Sequence, residues 1–362
     1  MKRIGILTGG GDAPGLNAVI RAAVKTAIYE YGCEVIGIRD GYDGFTDDEG
    51  VIPLGIEDVR GLLPRGGTIL GAANRGNPYA RKVIRDGKEV TIDVSDEIVK
   101  GIRRLEMDAL LVLGGDGTLR SAHELCQKGA PIIGVPKTID NDIGGTEACF
   151  GFDTAVTTAT EAIDKLHTTA EAHHRVMVLE LMGRDAGFIA LHAGVAGGTD
   201  VILIPEIPFT FEAVAAKIRQ RVERGYLFSI IAVSEGAKPL SGEQVFSREG
   251  DEVYVPRLGG IGQVVGEYIE KQGFETRVTV LGHLQRGGSP TPFDRWLATR
   301  YGAAAVRLAA QGKHDRMVAL HAGKIVDVPL AIAEPRRVDV NGDAILTARG
   351  MGIAFGDERS AS

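Results

Sequence analysis

Short apolar, β-branched-rich runs recur along this chain, separated by stretches whose apolar residues fall at three- and four-residue spacing. The runs are Lys2–Leu7, Glu34–Ile38, Ala109–Leu113, Pro131–Val135, Val176–Leu181, Val201–Ile204, Ser229–Val233 and Val278–Leu281. Continuous apolar runs of this length read as strands buried on both faces. Residues 17–31, Asp153–Glu171, Phe211–Arg224 and Gly262–Lys271 carry the helical spacing. Asp96–Met107 follows Ser95, an N-capping residue type, with Asp and Glu in its first turn. Strand and helix alternate as in βαβ units, and more units are present than one open sheet usually holds. The expected fold is therefore α/β, with two doubly wound domains facing a cleft. The Gly-, Pro- and charge-rich segments Gly61–Pro78 and Lys238–Gly260 are expected as loops over that cleft, and the tail beyond about Gly350 as a frayed polar end.

Composition narrows the class. A chain of 362 residues, 44% apolar and 25% charged, can build two domains that each have a core. It holds no apolar run of about 18 residues to span a membrane. Met1-Lys2-Arg3 leads directly into a strand-like segment, without the apolar stretch and cleavage site of a secretory leader. The expected location is the cytoplasm. Cys33, Cys126 and Cys149 are too few and too scattered for a disulfide framework or a zinc site, and are expected as reduced packing residues. A net charge of −7 argues against a nucleic-acid partner, which needs clustered Lys and Arg. Anionic substrates would then need local arginine pockets.

The candidate chemistry lies in loops that follow the apolar runs. Gly114-Gly115-Asp116-Gly117-Thr118 and Pro136-Lys137-Thr138-Ile139-Asp140-Asn141-Asp142 both leave a strand at what would be the carboxyl edge of a parallel sheet, where open α/β folds bind ligands. Glycines let backbone N–H groups approach phosphate oxygens, and a helix starting at Thr118 would favour negative charge at its amino end. Asp116 has the wrong sign to touch phosphate and suits a magnesium ion instead. Asp140 suits acceptance of a hydroxyl proton, with Asp142 orienting its neighbours or reaching the metal through water. Taken singly, either loop reads equally well as Asx-turns and helix caps. A third loop, Thr8-Gly9-Gly10-Gly11-Asp12-Ala13-Pro14-Gly15-Leu16-Asn17, adds a strand-loop-helix phosphate cradle that matches neither the Walker pattern nor the dinucleotide fingerprint.

Together these loops resemble the phosphofructokinase family, in which a glycine-rich first loop, GGDG(S/T) and TIDND recur in this order. The likeness continues through Arg175–Gly187, Ser234-Glu235-Gly236 and Glu275–Pro290, covering about the first 300 residues. It implies Rossmann-like domains: a donor-binding one at 1–151 plus about 285–335, and a sugar-phosphate-binding one at about 152–284 plus 336–362. It also implies Asp140 as the base for the C1 hydroxyl of fructose 6-phosphate, beside Thr138. Gly10, Gly11, Gly115, Gly117 and Thr118 would surround the donor phosphates, with Asp116 on Mg2+. Arg75, next to Gly76, would bridge donor and substrate. Arg184 would stabilise the transferring charge, while Met182 and Gly183 line the sugar and Glu235 accepts from its hydroxyls. A salt bridge to Asp185 is the plainer role for Arg184, and helix capping for Glu235. His283 and Arg286 would hold the 6-phosphate. Arg175 and Arg277 would reach it from a neighbouring subunit, so the resemblance implies a homo-oligomer, dimer or tetramer. His167, His173, His174 and His192 are expected as packing or surface residues. Arg21 and Lys25, four apart on the first helix, suit an effector pocket or a solvated basic face equally.

On donor identity the sequence is mixed. Lys137 is the residue typical of pyrophosphate-dependent relatives, whereas Gly117 is typical of ATP-dependent ones, in which it leaves room for the α-phosphate. A steric block excludes a donor outright and an extra lysine does not, so the expected activity is ATP-dependent 6-phosphofructokinase, yielding fructose 1,6-bisphosphate in glycolysis. The alternatives are a pyrophosphate-dependent phosphotransferase and, in another class, a catalytically inactive metabolite-sensing subunit. Lipid and NAD kinases also carry GGDGT but give no reason for Glu235 and His283–Arg286.

Overall fold

The computed structural model describes the chain apart from residues 48, 73–76, 86–87, 243–245, 249–256 and 358–362. In chain order it runs β1 (Arg3–Thr8), α1 (Leu16–Tyr31), β2 (Glu34–Ile38), β3 (Val51–Pro53), β4 (Arg81–Arg85), β5 (Lys88–Ile92), α2 (Ser95–Arg104), β6 (Ala109–Gly114), α3 (Asp116–Gln127), β7 (Ile132–Thr138) and β8 (Phe150–Gly151). There follow α4 (Phe152–His173), β9 (Val176–Leu181), α5 (Phe188–Ala196), β10 (Val201–Leu203), α6 (Phe211–Glu223), β11 (Ser229–Ser234), β12 (Phe246–Arg248), β13 (Arg257–Leu258), α7 (Ile261–Lys271) and β14 (Thr276–Val280). The last elements are α8 (Pro292–Ala310), β15 (Arg316–His321), β16 (Lys324–Pro329) and α9 (Asp343–Gly350). Two compact units result, Met1–Thr154 with Arg286–Pro335, and Ala155–Gln285 with Arg336–Ser362.

In the first unit, β7, β6, β1 and β2 lie side by side and parallel, β15 extends the parallel set, and antiparallel β16 and β3 form the edges. Every residue of β6 is buried because both faces are covered. Leu111 and Leu113 pack with α1 and α8, while Leu110 and Val112 pack with α2 and α3. α1 and α8 meet closely at Gly302, where a Cβ would lie 2.5 Å from the Val19 carbonyl oxygen.

At the start of α8 the fully buried Asp294 accepts hydrogen bonds from the Thr154 amide (2.8 Å) and hydroxyl (2.6 Å). Burial pushes its carboxyl up to about 6, against the lowering effect of those bonds. A carboxyl raised above its unfolded value stabilises the fold only when protonated. Its contribution is complete below about pH 4 and is lost as pH rises through about 6. Asp294→Asn should therefore melt higher than wild type at pH 7.5, by at least about 2 °C, with the gap closing near pH 4. Equal or lower melting of the variant at pH 7.5, in parallel scans at the two pH values, would mean that the ionised carboxylate is needed there.

The second unit holds a parallel sheet in the order β10-β11-β9-β14, with α6 and α7 supplying much of its core. Of the tail, residues 353–357 are tied down rather than frayed, and 358–362 lie outside the described residues. Ile353, Ala354 and Phe355 are buried, Ala354 bridges to Val201, and Arg349 pairs with Asp357 at 2.6 Å.

Several local expectations change. Ser95 is the first helical residue of α2 rather than its cap, and the preceding Asp93 accepts from the Ser95 amide at 2.8 Å. Part of the 238–260 stretch forms the antiparallel pair β12–β13 instead of loop alone. β7 continues through Thr138, so Pro136 and Lys137 are strand residues. β14 begins at Thr276, which places Arg277 inside a strand. Among the described residues, no helix is long and apolar enough to cross a membrane.

Candidate active site

The three glycine- and aspartate-bearing loops leave the adjacent parallel strands β1, β6 and β7 at their carboxyl ends, and they pack on one another. The Gly9 amide donates to the Leu113 carbonyl at 2.9 Å. A Cβ on Gly9 or Gly114 would come within 2.6 or 2.4 Å of the Thr118 side chain, so only glycine fits at either position. Gly10 has a left-handed φ of 73° and lies against both other loops: a Cβ there would be 3.5 Å from Lys137 Nζ and from Thr118 Oγ1. α3 starts at Asp116, two residues before the expected Thr118, and its Gly115 cap offers no side-chain hydrogen bond. The amides of its first turn therefore face a pocket of about 350 Å³. Gly9–Gly11, Gly115–Thr118, Lys137, Thr138, Asp140, Asp142 and Arg286 line the pocket, together with Gly41, Tyr42, Asn77 and Ser121. Arg75 and Gly76 lie outside the described residues; the adjoining Asn77 is in the lining.

Lys137 is only 4% exposed, and its ammonium donates to the Gly11 carbonyl. Burial, reinforced by the charge of Arg286, pushes its pKa down to about 8 against the pull of Asp12, Asp140 and Asp142. The Thr138 hydroxyl donates to Asp142 Oδ1 (3.0 Å) and accepts from the Asp140 amide (3.0 Å), which fixes the turn that carries both aspartates. Asn141, between them, adopts a left-handed φ of 53°, and its side chain accepts from the Cys149 amide at 2.9 Å. Asn17 on α1 plays a similar part: it donates to the Arg65 and Gly66 carbonyls (both 3.1 Å) and accepts from the Ile69 amide (3.0 Å). Neither asparagine was singled out by the sequence. Their only signal was an asparagine at a loop–helix junction or between two acids.

In the second unit, β9 and β11 pair in parallel register, Leu181 with Ser234, so the loops that follow them emerge together. The Ser234 hydroxyl (2.6 Å) and Gly236 amide (3.1 Å) both donate to the Gly183 carbonyl. A Cβ on Gly236 would lie 1.9 Å from the Arg184 carbonyl oxygen. Met182, Gly183, Arg184 and Glu235 are thus neighbours. Arg184 also makes a loose 3.8 Å ion pair with Asp185. His283, in the turn after β14, lies at the same edge of the sheet.

Arg175 and Arg277 lie elsewhere. Both bind Glu275, at 2.7 and 2.9 Å, at the amino edge of β9 and β14. Five to seven strand residues, roughly 16–23 Å, separate them from the Met182 loop. Arg286, expected beside His283, belongs to the first unit, lines the pocket there and donates to the Asp12 carbonyl at 3.1 Å.

Helix amino ends attract anions, but two candidates in the second unit are already taken. Glu206 accepts from the Gly187 amide at the start of α5 (3.0 Å), and buried Glu180 from the Gly262 amide at the start of α7 (2.7 Å). At the amino end of α3 the cap position is Gly115, which has no side chain to offer. Among the described residues, no group of three or more His, Cys, Asp or Glu could hold a metal by itself. Asp116 at the mouth of the cradle fits a magnesium ion that takes one or two carboxylates and completes its shell with phosphate oxygens and water.

The family model described as Phosphofructokinase matches residues 3–309. An ATP-dependent 6-phosphofructokinase of Chloroflexus aurantiacus is 57% identical, over 99% of this chain and 98% of its own length. A pyrophosphate–fructose 6-phosphate 1-phosphotransferase of Streptomyces coelicolor is 50% identical, over 92% of this chain and 95% of its own. Among solved structures, the phosphofructokinase of Pichia pastoris in its T-state gives a TM-score of 0.80 at 32% identity, covering 92% of this chain and 35% of the yeast one.

Proposed function

Since the chain belongs to the phosphofructokinase family, we propose that it transfers the terminal phosphoryl group of ATP to the C1 hydroxyl of fructose 6-phosphate. The observation that carries this reading is the convergence of the Gly9–Gly11, Gly115–Thr118 and Lys137–Asp142 segments on one pocket at an uncapped helix end. Asp140 takes the proton of the attacking hydroxyl, on a turn held by Thr138 and Asn141. Backbone amides of the first turn of α3 receive donor phosphates, and Lys137 and Arg286 add positive charge beside them. Arg184 and Arg75 neutralise charge on the transferring group. Magnesium held by Asp116 would supply further charge neutralisation on the donor when bound.

Met182, Gly183 and Glu235 hold the sugar, and His283 its 6-phosphate. The distance of Arg175 and Arg277 from that loop supports their service to the site of a neighbouring protomer in a homo-oligomer. A cytoplasmic enzyme of glycolysis is the corresponding cellular role.

ATP is favoured as donor because a Cβ on Gly117 would meet nothing within 4 Å, leaving open space next to the phosphate cradle. The 57% identical relative is named for the same donor. The buried Lys137 and the 50% identical relative named for pyrophosphate favour the other donor. Steady-state turnover with each donor at saturating fructose 6-phosphate separates the readings. The expected result is a kcat/KM for ATP well above that for pyrophosphate, and the reverse order would reassign the donor.

A further inference from the structure

We infer that Tyr301 is a positioning residue for Asp140: from the middle of α8, its hydroxyl fixes the far end of the loop that carries Asp140 and Asp142. This rests on the base role proposed above for Asp140. Asn141, between the two acids, holds a left-handed φ of 53°, a conformation that asparagine reaches with the help of hydrogen bonds from its own side chain. That side chain accepts from the Cys149 amide at 2.9 Å and donates to the Glu147 carbonyl at 3.4 Å. The turn is therefore held only as firmly as residues 147–149 are.

Those residues are fixed by elements far along the chain. The Glu147 amide donates to the Leu320 carbonyl, and the Thr146 hydroxyl accepts from the Leu320 amide, both at 3.0 Å near the end of β15. Tyr301 is fully buried; its hydroxyl donates to the Ala148 carbonyl at 2.7 Å and lies 2.9 Å from the Thr146 hydroxyl. Burial pushes its pKa up, so the donor keeps its proton. Thr146, 4% exposed, reaches the same Ala148 carbonyl at 3.1 Å. Loss of the Tyr301 hydroxyl leaves that carbonyl to the longer Thr146 bond. Slack then passes through Cys149 and Asn141 to Asp140. A general base must meet its proton within hydrogen-bond reach, so such slack costs rate. Tyr301 is absent from the pocket lining, which leaves the substrate contacts as they are.

The test uses the full-length protein with ATP and fructose 6-phosphate, and places Tyr301→Phe in the wild-type and the Asp140→Asn backgrounds. The phenylalanine keeps the ring that fills the core. It is expected to lower kcat about three- to tenfold, with each apparent KM within about twofold of wild type. In the Asp140→Asn background the same change should alter the residual rate by less than about 1.5-fold, because no base is left to misplace. Thr146→Val should lower kcat at least as much, and Thr146→Ser, which keeps the hydroxyl, should recover most of that loss. This pair carries the test if the phenylalanine variant does not fold. An unchanged kcat in folded Tyr301→Phe, or an equal loss in both backgrounds, would overturn the inference while leaving the base reading intact. Near-normal kcat in Asp140→Asn itself would overturn the base reading and the inference with it.

Discussion

Asp140→Asn is expected to lower kcat by roughly 10²–10⁴-fold, the range for removal of a general base, with little change in the apparent KM for either substrate. The substitution replaces one carboxylate oxygen by an amide nitrogen of nearly the same size. The backbone of the turn stays as it is: the residue 140 amide still donates to the Thr138 hydroxyl, and Asn141 still holds the Cys149 amide. The donor contacts proposed above, the amides of α3, Lys137 and Arg286, are left unchanged. An effect confined to kcat would therefore identify a group that acts in the chemical step. Single-turnover and steady-state rates, with circular dichroism to confirm the fold, provide the measurement. A variant within about threefold of wild type in kcat would remove Asp140 from the base role.

Gly117→Asp should reduce kcat/KM for ATP by about 10²–10³-fold while costing pyrophosphate use less than about tenfold. The protein itself gives no reason for the variant to misfold. A Cβ at this position meets nothing within 4 Å, and the residue lies in the first turn of α3, where an aspartate complements the helix dipole. The melting temperature should hold or rise slightly. Loss of ATP use with an intact fold would then report on the donor alone, through clash and carboxylate–phosphate repulsion at the open side of the cradle. Lys137, buried beside Gly11, stays available to pyrophosphate. Equal losses with both donors would show that Gly117 serves the phosphate cradle in general and carries no donor selectivity.

The central strands and their loops were legible in the sequence because parallel strands buried on both faces leave a continuous apolar run. Glu34–Ile38 and Val176–Leu181 begin and end where the sequence places them. Elements at the sheet edges or inside the apolar layers were not legible. The β4–β5 hairpin is exposed on most of its described side chains, and its half-buried side offers only Val83, Val90 and Ile92 as apolar residues. α5 and α8 mix small and apolar residues around much of their circumference, which hides the helical period. The glycine and aspartate motifs that line the pocket were conspicuous in the sequence. The supports could not, because the roles of Glu180, Glu206, Asn17 and Asn141 depend on which distant backbone amides the fold brings to them. The same holds for Arg286, whose neighbour His283 falls in the other unit.

Neither unit is one continuous stretch of chain, and this sets a timetable for synthesis. When Thr154 leaves the ribosome, β1, β2, β6 and β7 have been made, but α8, which seals α1, and β15, which pairs with β7, have not. Pro335, the last residue of the first unit, comes 335 − 154 = 181 residues later. At about 5–20 residues per second that is a delay of roughly 9–36 s. Until α8 and then β15 arrive within that interval, the nascent chain displays the apolar side of α1, including Val19, Ala22 and Ala23, and an unpaired edge of β7 at Ile133 and Gly134. The second unit is also unfinished until Ala354 arrives to bridge Val201. Both cores are complete only once Ala354 has been made.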